Sequence, residues 1–109
     1  MIDWDRVLEL REEVGADDFD EVAELFLEEA DEVIARLKSK DGRENLEDDL
    51  HFLKGSALNL GFRAMAILCQ SGEKAASEGH GQTFNLAALF ETYEQSRSVF
   101  EKKQAELAA

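Results

Sequence analysis

The sequence predicts an all-α protein, an antiparallel four-helix bundle with a short extra N-terminal helix. Three observations indicate this class: the chain contains no proline, its apolar residues recur every three or four positions, and short breaks separate the periodic segments. β-Branched residues are too sparse for a sheet, whereas the dominant residues, among them Glu, Leu and Ala, favour helices. A length of 109 residues with 44% hydrophobic residues fits one domain, 1–109, around a single core.

The first helix is predicted from about Asp3 to Val14, because Asp3 can cap its start. Its apolar contacts are expected to come from Val7, Leu8 and Leu10.

The second helix is predicted from about Asp18 to Ser39, since Asp18 and Glu21 have the spacing of a capping box. Its apolar stripe comprises Phe19, Val22, Ala23, Phe26, Leu27, Ala30, Val33, Ile34 and Leu37. This stripe is wider than one packing seam needs, so part of it is expected to face a partner.

The third helix is predicted from about Gly42, with Asp41 as its cap, to Leu60. Its inward stripe is regular and consists of Leu46, Leu50, Leu53, Ala57 and Leu60. At about 100° per residue, His51 points roughly 140° away from the centre of this stripe, and Gly55 roughly 180°. The helix is therefore expected to bury its leucines and to turn His51 outward.

The fourth helix is predicted from about Arg63 to Glu78, and the last from about Phe84 to Leu107. A flexible break, Gly79-His80-Gly81, separates them. The fourth helix uses Met65, Ile67, Leu68, Cys69, Ala75 and Ala76 as its apolar residues. The last helix uses Leu86, Leu89, Phe90, Tyr93 and Phe100. Four substantial amphipathic helices joined by short loops make an antiparallel bundle.

The formal net charge of -13 excludes two classes of partner. An acidic surface repels both nucleic-acid phosphates and anionic lipid, and it keeps a small protein monomeric. The apolar runs are shorter than the ~20 residues that span a bilayer. The first residues are acidic and amphipathic, unlike a signal peptide. We therefore expect a cytoplasmic monomer that binds neither nucleic acid nor membrane.

The sequence lacks the residues that a metal site or a nucleotide-binding site needs. Two histidines and one cysteine cannot build a usual zinc site, and the carboxylates show no calcium-loop pattern. The chain contains neither GxGxxG nor GxxxxGK[ST], so no metal and no cofactor is expected. Ser56 and His51 lie too far apart around the helix to form a nucleophile–base pair. The single cysteine, Cys69, cannot form an intramolecular disulfide and is expected in the core.

One face of the third helix carries an imidazole, a cation and bare backbone, supplied by His51, Lys54 and Gly55. Neutral imidazole is a good nucleophile near pH 7, and Lys54 can offset the roughly two negative charges of a bound phosphoryl group. A glycine inside a helix costs about 1 kcal/mol relative to alanine, so Gly55 indicates access for a second protein. Glu47, four residues before His51, is also within its reach. In the alternative interpretation, His51 is an ordinary surface histidine and Gly55 has no role.

The stretch from His51 to Gly61, HFLKGSALNLG, resembles the signature of the histidine-containing phosphotransfer (Hpt) domain. That signature is histidine, any residue, leucine, lysine, glycine and serine, followed closely by asparagine-any-glycine. An acidic first helix, an LFLEEA segment and a fourth helix with Cys69 and Glu73 extend the resemblance to nearly the whole chain. Two residues depart from it. Phe52 occupies a position that is usually small or polar, and this departure affects partner preference. Gly72 occupies a position where leucine is frequent, and it either loosens the fourth helix or lets another helix approach closely.

The resemblance implies a phosphorelay intermediate, not an enzyme. His51 would accept a phosphoryl group from a response-regulator aspartate and pass it to another, and Lys54 would stabilise its charge. Most of the catalytic machinery, including Mg²⁺, would belong to the regulator. The implied partners are a response-regulator receiver domain and/or a hybrid histidine kinase. The residues expected to contact the partner, together with the outer side of the second helix, are Gly55, Leu58, Glu47 and Asp48.

Three alternatives remain open from the sequence. The first is an Hpt-fold binding module without phosphotransfer, which would take no acid-labile label from a phosphorylated receiver. The second is a structural helical bundle. The third is the dimerisation and phosphoacceptor part of a histidine kinase, but such kinases need an ATP-binding domain for which 109 residues leave no room.

Overall fold

The computed structural model describes residues 1–108, in which five α-helices and one short 3₁₀-helix form a bundle without strands. The helices are α1 (Trp4–Val14), α2 (Phe19–Leu37), α3 (Leu46–Leu60), α4 (Arg63–Ser77) and α5 (Leu86–Ala108), and the 3₁₀-helix is Gly81–Thr83. α2 to α5 pack in chain order, with α5 returning to α2, and α1 lies against α2 and α3. This arrangement confirms the predicted fold class.

The core is built around α3. Its predicted inward stripe is confirmed, because five residues are buried: Leu46, Leu50, Leu53, Ala57 and Leu60. At one end of the bundle, four fully buried aromatic rings pack against one another. They belong to Phe19, Phe62, Tyr93 and Phe100. Because α3 buries one face against this core, its opposite face is available to solvent.

Several apolar residues that the sequence placed in the core lie elsewhere. Leu8 is 49% exposed and Ile67 is 60% exposed. On the helical wheel, Ile67 is about 160° from the buried Cys69, so packing that side of α4 inward turns Ile67 to the solvent. Two members of the predicted α2 stripe, Val22 and Phe26, are half-buried. The other seven residues of the stripe are buried, and the expectation that part of it faces a partner stays a prediction.

The start of α3 was predicted too early. The helix begins at Leu46 with Asn45 as its cap, not at Gly42 after Asp41. Consecutive turns occupy this segment instead, with backbone N–H groups donating to carbonyls three residues earlier. Gly42 is buried here, and a Cβ atom on it would overlap the carbonyl oxygen of Leu37. This close contact, which no local pattern encodes, holds the chain in turns before the helix starts.

The predicted helix caps have mixed outcomes. Asp3 caps α1, because its carboxylate accepts a hydrogen bond from the backbone N–H of Arg6 at 3.2 Å. The side chain of Asp18 makes no capping hydrogen bond with any residue of 1–108, so the capping box predicted for α2 is wrong. The last helix, α5, begins at Leu86, two residues later than predicted.

A left-handed glycine joins α3 to α4. Gly61 has φ +77°, and the N–H of Phe62 donates to the carbonyl of Ala57 at 2.7 Å, which ends α3 in a tight cap. A second glycine lets the two helices approach closely. A Cβ atom on Gly72 would lie 2.6 Å from the Cδ1 atom of Leu50 and 2.7 Å from the ring of Phe84. Of the two roles predicted for Gly72, close approach is therefore the one observed.

Candidate functional site

His51 lies in the middle of α3 on the side opposite the buried leucines. Its side chain is 69% exposed, which confirms the outward orientation predicted from the helical wheel. Lys54 lies three residues further along the helix and is half-buried. The imidazole is therefore open to another molecule, while the cation beside it is partly covered.

A carboxylate on α4 contacts both residues. The Nδ1 atom of His51 lies 2.7 Å from Oε1 of Glu73, and the Nζ atom of Lys54 lies 2.8 Å from Oε2 of the same residue. The turn at Gly61 brings these groups together, since His51 is nine residues before the end of α3 and Glu73 is ten after the start of α4. Residues at similar distances from an antiparallel turn face each other.

The charge on Glu73 determines which ring nitrogen of His51 is free. The ammonium of Lys54 is the largest cause that lowers the pKa of Glu73; partial burial opposes it, and the hydrogen bond to His51 lowers the pKa further. Glu73 is therefore ionised near neutral pH and can only accept hydrogen bonds. Nδ1 of His51 must then carry the proton when the ring is neutral, which leaves a lone pair on Nε2.

Gly55 leaves open surface one turn beyond His51. A Cβ atom built there would meet no atom of the described residues within 4 Å, apart from its own helical turn and chain neighbours. Packing within residues 1–108 therefore does not require a glycine at this position. Beyond Gly55, Leu58 is 56% exposed, and Glu47 and Asp48 are exposed in the first turn of the helix. All four residues lie outward, where the sequence placed them.

A family model, that of the Hpt domain, matches residues 21–105. The chain belongs to the Hpt family. Hpt domains are phosphocarriers of phosphorelays and not conventional enzymes. The matched residues include the whole cluster of His51, Lys54 and Glu73, whereas α1 precedes them. No curated protein and no solved structure matches the chain significantly.

The structure of this Hpt domain corrects one sequence interpretation. Glu47 makes no ion pair with His51 among residues 1–108, and the carboxylate at the ring belongs to Glu73. Sequence reasoning noted Glu73 as part of the family pattern but assigned it no contact. The sequence did not fix this contact, because it depends on the register between α3 and α4, in which Glu73 lies ten residues after the start of α4 and His51 nine before the end of α3.

Other polar side chains of the Hpt domain do not join this cluster. Ser56 is buried on the side of α3 that faces away from His51, and His80 is exposed in the loop after α4. Cys69 is fully buried, and burial, with a further contribution from Glu73, raises the pKa of its thiol to about 12. A thiol with so high a pKa is unreactive near neutral pH.

Two observations bear on metals and membranes. The described part of the chain brings together no group of three histidine, cysteine or acidic side chains that could hold a metal ion. Within residues 1–108, no helix has both the length and the apolar character needed to cross a membrane.

Proposed function

We propose that this Hpt domain is a phosphorelay intermediate that carries a phosphoryl group on Nε2 of His51. The group comes from the aspartyl phosphate of a response-regulator receiver domain and passes to the aspartate of another. The contact between Nδ1 of His51 and Glu73 is the observation that carries this proposal. It leaves Nε2 unprotonated on a ring that is largely exposed.

The transfer step balances without an added proton. The Nε2 lone pair attacks phosphorus and forms the N–P bond, the P–O bond of the acyl phosphate breaks, and its electron pair returns to the receiver's carboxylate. The ring keeps its Nδ1 proton and takes a positive charge, which the adjacent carboxylate of Glu73 offsets. When the group leaves for a second receiver, the ring returns to its neutral form. The receiver supplies most of the remaining catalytic groups.

Lys54 is the residue of this chain that can stabilise the phosphoryl group. A phosphoryl group carries about two negative charges near neutral pH, and the acidic surface around it opposes that charge. The ammonium of Lys54 is already held beside the ring through Glu73. From there it can form a charge-assisted hydrogen bond to a phosphoryl oxygen.

The docking face for the receiver comprises Gly55, Leu58 and the outer side of α2. Gly55 gives close access to the ring, and Leu58 supplies exposed apolar surface on the same side of α3. Glu47 and Asp48 form an acidic rim that can meet basic residues of the partner and raise its association rate. A hybrid histidine kinase that carries a receiver domain can donate through the same face. In this role the domain acts as a cytoplasmic monomer.

Phosphotransfer to His51→Ala and His80→Ala variants tests the proposal. The chain is mixed with receiver domains charged with radiolabelled acetyl phosphate, and acid-labile label on the chain is measured. His51→Ala should take up no label and keep the circular dichroism of the parent, because residue 51 faces outward. His80→Ala, which removes the exposed loop histidine, should be labelled as the parent is. Label retained in His51→Ala would assign the acceptor elsewhere, and an unlabelled parent would favour a binding module.

A further inference from the structure

A cavity of about 220 Å³ lies beside Leu58, where α3 turns into α4. Its lining residues are Asp3, Ala57, Leu58, Gly61 and Arg63. Leu58 lies on the same side of α3 as His51, seven residues further on, which is about 10 Å along the helix axis. The cavity therefore continues the docking face proposed above, away from the reacting nitrogen.

The N-terminal residues form one wall of this cavity. The N–H of Asp3 donates to the carbonyl of Gly61 at 2.7 Å, and the N–H of Ala64 donates to the carbonyl of Met1 at 3.1 Å. A Cβ atom on Gly61 would lie 2.6 Å from the carbonyl oxygen of Asp3, so the glycine is needed for this contact. The wall precedes residues 21–105, which the family model matches.

The rim of the cavity carries the cationic side chain of Arg63. The guanidinium of Arg63 makes no ion pair or side-chain hydrogen bond with any group in residues 1–108, including the nearby Asp3. Arg6, Arg36 and Arg97 each pair with a carboxylate, whereas Arg11, like Arg63, has no such partner among residues 1–108. In a chain of net charge -13, an unpaired arginine beside exposed apolar surface suits a carboxylate from another molecule.

Building on the proposed function, we propose that this cavity selects among receiver domains. An apolar side chain of the docked receiver enters beside Leu58, and a carboxylate next to it on the receiver pairs with Arg63. Transfer chemistry at His51 is shared by all receivers that dock. The cavity distinguishes them, because a receiver without this pair of side chains leaves Leu58 exposed and Arg63 unpaired.

Matched alanine variants on two faces test the proposal. Leu58→Ala and Arg63→Ala change the cavity, whereas Ile67→Ala and Lys74→Ala remove an equally exposed apolar residue and a cation from the outer face of α4. Dissociation constants are measured for a panel of purified receiver domains, with labelling of His51 at saturating receiver as a check. For the receivers that the parent chain binds most tightly, Leu58→Ala should raise the dissociation constant about tenfold. Arg63→Ala should raise it by a smaller factor that disappears in high salt.

Each result decides for or against the cavity. Unchanged affinity in the Ile67→Ala and Lys74→Ala controls, with selective losses in the cavity variants, supports the proposal. Equal losses on both faces, or equal losses for every receiver, overturn it while His51 labelling leaves the proposed function intact. If no receiver labels the parent chain, both the proposed phosphotransfer function and the proposed role of the cavity are contradicted. A concentration-dependent dimer that Leu58→Ala abolishes would assign the cavity to a second copy of this chain and overturn the proposal.

Discussion

The Nδ1 atom of His51 lies 2.7 Å from Oε1 of Glu73, across two helices and 22 residues of sequence. The second oxygen of the same carboxylate faces the ammonium of Lys54 at 2.8 Å. One residue of α4 therefore contacts both residues of α3 that are proposed to carry the chemistry. In the proposed transfer this geometry makes Glu73 a positioning residue, because it contacts the ring and the cation and would influence the phosphoryl group through them.

Replacing Glu73 should slow phosphoryl acceptance without weakening the complex with the receiver. Glu73→Ala removes a charge-assisted hydrogen bond worth about 1.5–3 kcal/mol, so the transfer rate should fall at least about tenfold. Glu73→Gln keeps an oxygen that Nδ1 can donate to and should recover part of the rate. Rapid-quench transfer kinetics give the rate, and the nitrogen chemical shifts of the ring report its tautomer. A normal rate with a normal tautomer in Glu73→Ala would remove this role, and Glu94→Gln, at an exposed carboxylate of α5, serves as the control.

Removing Lys54 should weaken the phosphorylated form. Lys54→Ala takes away the cation that shares Glu73 with the ring, so hydrolysis of the phosphohistidine should accelerate about tenfold. The lifetime of acid-labile label on the isolated, phosphorylated chain measures this effect. Lys74→Ala provides a matched control, because Lys74 is exposed one residue from Glu73 but takes no part in the ion pair. Equal lifetimes for the parent and Lys54→Ala would show that the cation does not stabilise the phosphoryl group.

The orientation of α3 could be predicted from the sequence, because periodicity within one helix fixes which residues share a face. Five leucine and alanine positions defined the buried side, and the outward position of His51 followed. The contact with Glu73 did not follow, since it depends on the register between two helices. That register is set by the left-handed turn at Gly61 and by the close approach at Gly72.

Apolar identity alone misled the sequence analysis at other positions. Leu8 and Ile67 are as apolar as their buried neighbours, yet they project from the solvent side of α1 and α4. An apolar residue can lie either in the core or on the surface. Which of the two it does depends on which side of its helix the neighbouring helices cover. The segment before α3 shows a similar limit, because the contact of Gly42 with Leu37 joins turns that no capping pattern describes.

Adding a long side chain at Gly55 should block access of a receiver to His51 without lowering the stability of the fold. Both Gly55→Ala and Gly55→Gln should stabilise the helix by up to about 1 kcal/mol, because glycine is the poorer helix former and the site is open. Gly55→Gln should block transfer, since its longer side chain fills the approach to His51. Gly55→Ala, with a single added carbon, should retain most of it. Thermal unfolding and transfer rates test the two effects together, and normal transfer in Gly55→Gln would contradict the access argument.

The free energy of unfolding should depend on the ionisation of Glu73 in acid. Because its pKa is lowered in the folded state, mainly by Lys54, ionised Glu73 contributes stability at pH values above its ordinary pKa of 4.5. This contribution is lost as the pH falls through the lowered folded-state value. The stability difference between the parent and Glu73→Gln should therefore be constant near neutral pH and shrink below about 4.5. Denaturant titrations of both proteins measure it, and a difference that does not change with pH would contradict the assignment.

The proposed nucleophile His51, the cation Lys54 and the carboxylate Glu73 all belong to one helical hairpin closed by Gly61. Unravelling at the C-terminal end of α1 or of α5 would leave their mutual geometry unchanged, because neither end contributes a side chain to the cluster. Amide hydrogen exchange should accordingly be slowest in α3 and α4 and faster at those ends. Local fraying at those two ends should therefore leave the proposed reacting nitrogen in place.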